Sequence, residues 1–562
     1  MVKRLWYFFD KEIGSLNEAA LLLAVSMFLA QILALVRDRL LAATYGAGTS
    51  LDIYYSAFRL PDLLYVTIAS FVSVAVLIPF IIERLEKGEE IAARNFLSAV
   101  FSLFVIVMVV SCLAGFILMP WLAPRLAPGF DQTAQNQLIQ LARILLLSPL
   151  LLGLSNLLGS ITQAYRKFFV YSLSPIFYNI GIIAGIIFFV PWLGLSGLVW
   201  GVILGALLHL GVQLPTLWSI GFWPRWSIIE IKSNLKLIGR LIAISWPRTI
   251  TLSASQLVIM ALLAIASYFG RGAISVFNFA INLQSVPLSI VGISYSVAAF
   301  PILSKFYSRG HLDKFIEQIS SATRQIIFWS IPVTVMFIVL RAQIVRVILG
   351  SGYFDWTATR LTAACLALFA LSVFAQNLIF LLVRGYYASG KTTKPLIINL
   401  LSSFLIIVSA LVLGQIFATN QTLKLLLVNL LRVGDLPDTA ILMLPLAYSL
   451  GMIFNCLVLI VFFARDYHWR LRPILISANQ VFWASVIGGL AAYYLLNILS
   501  FYLSLETLAS IFVQGFIAGI AGLTVNLLVL KLFNNQELAE LIKALKHKFW
   551  KAEPLIPEQL EL

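Results

Sequence analysis

RDRLLAATYGAGTSLDIYYSAFRLPD, residues 37–62, places three arginines and three carboxylates inside a chain that is 61% hydrophobic. Its neighbours on both sides read as membrane interior. Runs of about 20 apolar residues recur from end to end, and each is long enough to cross a hydrocarbon core about 30 Å thick. Only 11% of the residues are charged and the mean hydropathy is +0.96. Such repetition specifies an all-α polytopic membrane protein, because helices satisfy their own backbone where water is absent. Residues 37–62 decide what kind. Their charges either rim a solvated loop or face something polar within the bilayer.

Fourteen spans are predicted, near 17–45, 51–83, 93–120, 132–164, 168–190, 194–219, 236–268, 272–304, 312–347, 356–388, 394–417, 438–464, 472–498 and 506–532. The first is too long, and too charged at its far end, for a cleavable signal. With the N-terminus cytoplasmic, alternate connections and the tail hold 26 of the 39 Lys and Arg residues, against seven in the opposite set. That asymmetry predicts both termini on the cytoplasmic side of a bacterial inner membrane. The formal charge of +15 is thereby topology and anionic-lipid contact rather than nucleic-acid binding. Cys112, Cys365 and Cys456 lie in apolar runs and imply no disulfide framework. The four histidines lack metal-ligand spacing, so no metal or cofactor is expected.

The chain carries a duplication. SVAVLIP at 73–79 returns as SVAAFP at 296–301, NLLGSITQAY at 156–165 as NLIFLLVRGY at 377–386, and PIFYN at 175–179 as PLIIN at 395–399. The offsets stay within 220–223 residues. Each repeat holds six spans, so both enter the membrane in the same sense. Parallel repeats of this kind place a polar site at their interface. The predicted order is a cytoplasmic interfacial segment at 1–16, a six-helix lobe at 17–219, a linker at 220–235 and a second six-helix lobe at 236–464. Helices 13 and 14 follow at 465–532, then an amphipathic cytoplasmic tail at 533–562 that reads as a membrane-surface helix. Residues 421–434 read as a short amphipathic helix on the outer face.

If YGAGTS is the outer turn, Arg37 lies nine residues before Gly46 and Arg59 nine after Ser50, each about 13 Å below it at 1.5 Å per residue. Asp52, Tyr55, Arg59 and Asp62 form one polar stripe on span 2, while Gln31 and Asp38 share a face of span 1. Arg39 points elsewhere. Arg143, Arg248 and Arg324 are further intramembrane arginines. Charges at this depth face a bundle interior or a watery cavity. Five arginines against Asp38, Asp52 and Asp62 suit an anionic cargo, with guanidinium forks matched to phosphate. The bland reading stays open: Arg37–Asp52 and Arg59–Asp62 as pairs locking the hairpin, Arg143 and Arg324 as snorkelling or internally paired. Gln31, Asn282, Gln284, Gln376 and Asn377 are interhelical hydrogen-bond candidates.

At these residues the sequence resembles the MviN/MurJ family of lipid II flippases, within the multidrug/oligosaccharidyl-lipid/polysaccharide exporter superfamily. The likeness is carried by VRDRLLAATYGAGTSLDIYYSAFRLPDLL at 36–64, SVAVLIPFI at 73–81, GSITQAYRKFFVYSLSPIFYNI at 159–180 and VPLSIVGISYSVAAFPILSK at 286–305. It implies two six-helix lobes around a central cationic cavity, two extra helices forming a lipid-facing groove, and transport of an undecaprenyl-pyrophosphate-linked peptidoglycan precursor by alternating access. Arg37, Asp38 and Asp52 match the family's functional charges and Arg59 a basic position. Gln31, Tyr65, Val66 and Asn282 stand where the family usually has arginine.

The resulting expectation is a monomeric, non-enzymatic flippase for lipid II, in contact with membrane lipids and with the cell-wall synthesis machinery. Its substrate-binding candidates are Arg37, Asp38, Asp52, Arg59 and Arg248, with Gln31, Arg143, Asn282 and Arg324 as further cavity candidates. A flippase for another polyprenyl-linked oligosaccharide is the alternative. A small-solute antiporter calls for an acidic cavity, and a prenyl-phosphate glycosyltransferase calls for carboxylates beside a substantial outer domain. A scaffold that has kept the fold without transport is the remaining class.

Overall fold

The protein is described here by a computed structural model covering residues 16–71, 74–165, 167–221, 223–503 and 507–550. The expectations for residues 1–15, for Ser73 and for 551–562 lie outside these described residues. The helices are α1 Leu16–Tyr45, α2 Thr49–Ala57, α3 Arg59–Ala69, α4 Val74–Glu86, α5 Glu90–Leu126, α6 Gln132–Leu145, α7 Leu147–Ala164, α8 Phe168–Ala184 and α9 Leu195–Gly211. They continue as α10 Leu235–Ala266, α11 Ala273–Pro287, α12 Ser294–Ser308, α13 Leu312–Val339, α14 Arg341–Leu349, α15 Trp356–Ala370 and α16 Val373–Ala388. The remainder are α17 Thr393–Thr419, α18 Gln421–Leu431, α19 Met443–Tyr467, α20 Arg472–Tyr502, α21 Leu508–Leu532 and α22 Gln536–Trp550. Shorter turns between them are left unlabelled.

Among the described residues, eleven helices are long and apolar enough to cross a membrane, or twelve if the bent pair α15–α16 is one span. The predicted fourteen is not confirmed by this criterion, and the spans it does not count singly are 1, 2 and 10. Span 1 is the unbroken 30-residue α1. Span 2 is divided into α2, α3 and α4. Pro61 has no N–H to offer the carbonyl of Ala57, so the helix breaks at Phe58 and restarts with Asp62 N donating to Phe58 O at 2.8 Å. The α15–α16 bend lies at Leu371 and Ser372. There the Phe369 carbonyl takes the Ser372 hydroxyl and the Gln284 amide.

The chain forms two compact units. One takes in the chain through Leu283 with Ile348–Cys365 and Thr392–Gly451. The other comprises Gln284–Val347, Leu366–Lys391 and Met452–Leu562. In the first unit α1 packs along α8, and α10 packs along α17. These pairings are repeat counterparts, and one bond recurs in both. Asn179 Nδ2 donates to Ala30 O at 3.5 Å, and Asn399 Nδ2, 220 residues on, donates to Thr251 O at 3.3 Å. The α8–α9 seam is built on glycine: a Cβ on Gly181 would lie 2.3 Å from Gly205 Cα, and one on Gly185 would lie 2.3 Å from Gly201 Cα. Small residues permit this backbone approach where apolar lipid gives no hydrophobic drive. Outward faces are apolar, as Val110, Leu113, Ile117 and Trp121 of α5 illustrate.

In the second unit, α20 packs against α21 and α13. The tail helix α22 differs from a freely floating surface helix, because Glu537 and Leu538 are buried. Glu537 forms an ion pair with Arg324 at 2.8 Å and accepts from Ser477 Oγ at 3.0 Å. Gln284 and Asn377 make interhelical bonds as expected, the latter to Ser330 Oγ. Gln376 bonds one turn back within its own span, to Ser372 Oγ.

Candidate functional site

The 46–48 turn lets α1 and α2 run side by side while two other loops close over it. Gly46 has φ +62°, and a Cβ there would sit 2.6 Å from Tyr353 O. Gly272 has φ +86°, with its Cβ position 2.3 Å from Ala47 O. Neither conformation nor space admits a side chain. Tyr353 N donates to Ala43 O at 3.0 Å, and Arg39, turned away from Arg37, donates to Ile348 O at 3.2 Å. Beneath this backbone seal lies an aromatic layer. Tyr54 meets Phe58, Tyr55 meets Phe279, and Phe279 meets Phe354, all edge-on with centroids 5.0–5.9 Å apart.

One face of α11 answers the charges of the hairpin in turn. Ser275, Asn278 and Asn282 fall at i, i+3 and i+7, on a single stripe. Asp52, 2% exposed, accepts from Gly272 N at 2.6 Å, Ser275 N at 2.7 Å and Ser275 Oγ at 2.6 Å. It caps the N-terminus of α11, where an anion is stabilised by unpaired N–H groups and the helix dipole. Arg59 donates to Tyr55 O at 3.0 Å and to Asn278 Oδ1 at 3.1 Å. Asn282 donates to Asp38 Oδ2 at 3.0 Å.

The other oxygen of Asp38 takes Arg37 Nη2 at 2.8 Å and Nε at 3.0 Å, while Arg37 Nη1 reaches Asn179 Oδ1 on α8 at 3.2 Å. Asn179, Arg37, Asp38 and Asn282 thus form one chain across α8, α1 and α11. The Arg37 side chain keeps 21% of its surface accessible, against 5% for Asp38. Arg59 is held by a carbonyl and an amide, and the Nη1 of Arg37 by an amide. A phosphate oxygen, being charged, makes a stronger partner than either.

Of the predicted site residues, Arg37, Asp38, Asp52, Arg59 and Asn282 come together here, with Asn282 bonding between helices as expected and Asp52 and Arg37 not paired with each other. Asp52 does not pair with Arg37, whose carboxylate partner is its neighbour Asp38. Asn282 is the amide that holds that carboxylate. Tyr65 accepts from Asn156 Nδ2 at 2.5 Å. Gln31 and Val66 are half-buried, with Gln31 beside the Ala30 carbonyl that Asn179 reaches.

Arg248 lies near the far end of α3 from Arg59, about 16 Å away along the helix. There Ser70 bonds Thr249 at 2.6 Å and Phe71 stacks on Trp246 at 6.4 Å. Arg143 stands against α5, donating Nε to Phe116 O at 3.1 Å with its guanidinium over the Phe116 ring at 4.6 Å. Arg324 is engaged by Glu537 in the other unit. Neither Arg143 nor Arg324 shares a bond with the cluster. Asn179, Ser275 and Asn278 were not anticipated as site residues. Their signals were present: Asn179 ends the repeated PIFYN motif, and Ser275 and Asn278 precede Asn282 at helical spacing.

A family model described as lipid II flippase MurJ matches residues 41–517. A probable lipid II flippase MurJ from Rickettsia prowazekii (strain Madrid E) is 28% identical over 449 residues, covering 78% of this chain and 83% of its own. The lipid II flippase MurJ of Burkholderia cenocepacia is 25% identical over 381 residues, covering 66% and 74%. Among solved structures, a lipid II flippase MurJ in an inward closed conformation aligns with TM-score 0.72 at 20% identity, over 93% of this chain and all of that one. An inward-facing MATE family multidrug resistance transporter of the MOP superfamily aligns with TM-score 0.64 at 13% identity, over 79% and 98%. The fold is that of these transporters. Matched over most of its length, the chain belongs to the lipid II flippase MurJ family.

Proposed function

We propose that this chain moves lipid II, a polyprenyl-pyrophosphate-linked cell-wall precursor, across the cytoplasmic membrane by alternating access. The carrying observation is the accessible Arg37 guanidinium, held deep in α1 by Asp38 and Asn179. In the proposed orientation both termini are cytoplasmic and the 46–48 turn faces outward. The bodies that rock are the repeats 17–219 and 236–464, with 465–532 receiving the prenyl chain. The Ser275–Asn278–Asn282 stripe is then the inner surface of the outer gate. The contacts of that gate account for the compact unit running on through Leu283.

Entry of a pyrophosphate gives Arg37 and Arg59 charged partners in place of Asn179 and Asn278. Releasing the Asn278 amide loosens α11 from the hairpin, so cargo favours the outward-open state by differential binding. The chain works as a monomer beside the cell-wall synthesis machinery. The test is replacement of a bacterium's own lipid II flippase by this chain under a repressible promoter. Repression should raise lipid II on the cytoplasmic leaflet, and Arg37→Ala should fail to complement at unchanged protein level. An unchanged lipid II pool with another polyprenyl-linked oligosaccharide rising would reassign the cargo. Gln31, Tyr65, Val66 and Asn282, uncharged at positions usually arginine, are what favour that second reading.

A further inference from the structure

Arg143, which shares no bond with the charge cluster, is the one charged residue lining a groove of about 430 Å³ formed by α5, α6, α7 and α9. Cys112, Phe116, Leu147, Leu150 and Trp200 line it, and its size falls within the usual range of ligand sites. The guanidinium spends Nε on the Phe116 carbonyl and its face on the Phe116 ring. No carboxylate among the described residues pairs with it. Its depth follows from α5: Trp121, exposed and carrying Arg125 at 3.7 Å, has the character of an interfacial anchor. Phe116 lies five residues, about 8 Å, further in.

A cation at that depth with unused N–H groups beside an apolar groove has the two halves of a lipid-recognition site. The fold does not demand it. The repeat counterparts of Arg143, at 363–366, are Ala363, Ala364, Cys365 and Leu366. The geometry points to a binding site for one anionic phospholipid of the surrounding bilayer. Its phosphate is taken by the Nη groups of Arg143 and one acyl chain lies along Leu147, Leu150 and Trp200. The site lies apart from the Arg37 cluster, and its occupant is a bilayer lipid rather than the cargo.

The test uses the full chain purified in neutral detergent and titrated with dimyristoyl phosphatidylglycerol or dimyristoyl phosphatidylcholine, with bound lipid counted by native mass spectrometry. The wild type should hold one phosphatidylglycerol about tenfold more tightly than phosphatidylcholine. Arg143→Gln should erase that preference, and Arg143→Lys, keeping charge without the fork, should retain part of it. Leu147→Trp fills the groove without touching the arginine and should weaken both lipids several-fold at unchanged melting temperature. Equal retention of the two lipids by the wild type, or a preference surviving in Arg143→Gln, would overturn the site. Displacement of phosphatidylglycerol by undecaprenyl pyrophosphate in wild type but not in Arg143→Gln would overturn the occupant.

Discussion

Asp52 carries a charge that no cation among the described residues neutralises; three donors from Gly272 and Ser275 do so instead. A hydrogen bond to a charged group contributes roughly 1.5–3 kcal/mol, and a buried donor left unmet costs about 1–3 kcal/mol. Asp52→Asn turns an NH2 towards the Gly272 N–H, donor against donor, so the closed seal should weaken by about 2 kcal/mol. Gly272→Ala leaves every charge in place but drives a methyl into Ala47 O. Both should therefore raise labelling of an Ala47→Cys reporter by an impermeant maleimide, tenfold or more for Asp52→Asn. Unchanged labelling at unchanged protein level would remove Asp52 from the seal. The polar character of Asp52 was legible from its spacing with Arg59. Its partner was not, because Ser275 lies 223 residues away and the stripe it shares with Asn278 and Asn282 does not say which carboxylate it meets.

Elements show the same division between local and distant causes. The hairpin, its glycine turn and the repeated spans follow from hydropathy and punctuation close by in sequence. The break at Phe58 was also available locally, since Pro61 leaves the Ala57 carbonyl without its N–H, but apolar continuity from 51 to 83 masked it. Helix α22 has an amphipathic pattern that reads as a surface helix, yet its second residue, Glu537, is 3% exposed and locked to Arg324. Removing one partner of a buried pair strands the other, at a cost of about 3–5 kcal/mol. Glu537→Gln should thus release α22 locally. Hydrogen exchange across 536–543 should rise at least tenfold while the segment around Arg37 keeps its protection. Equal exchange in both proteins would mean that Leu538 and its apolar neighbours hold the helix unaided.

Across the whole molecule the duplication is preserved in packing and abandoned in charge. Asn179 and Asn399 do the same structural work, tying α8 to α1 and α17 to α10 through a carbonyl. Asn179 also receives the Arg37 guanidinium. The counterparts of Arg37 and Asp38, 221 residues on, are Val258 and Ile259. At this depth, then, the first repeat supplies an ion pair where the second has two apolar residues. On the proposed mechanism the headgroup's phosphates bind on the first repeat's side, and Asn179 is the partner that cargo displaces. This separates two roles that a single substitution usually confounds. Asn179→Ala and Asn399→Ala each delete one interhelical amide bond, worth about 1 kcal/mol, so both should lower the melting temperature by a similar small amount. Only Asn179→Ala removes a group from Arg37, so it alone should impair complementation of a flippase-depleted strain. If Asn399→Ala impaired growth equally at matched stability, the asymmetry would have no bearing on transport, and the charged hairpin would serve closure alone.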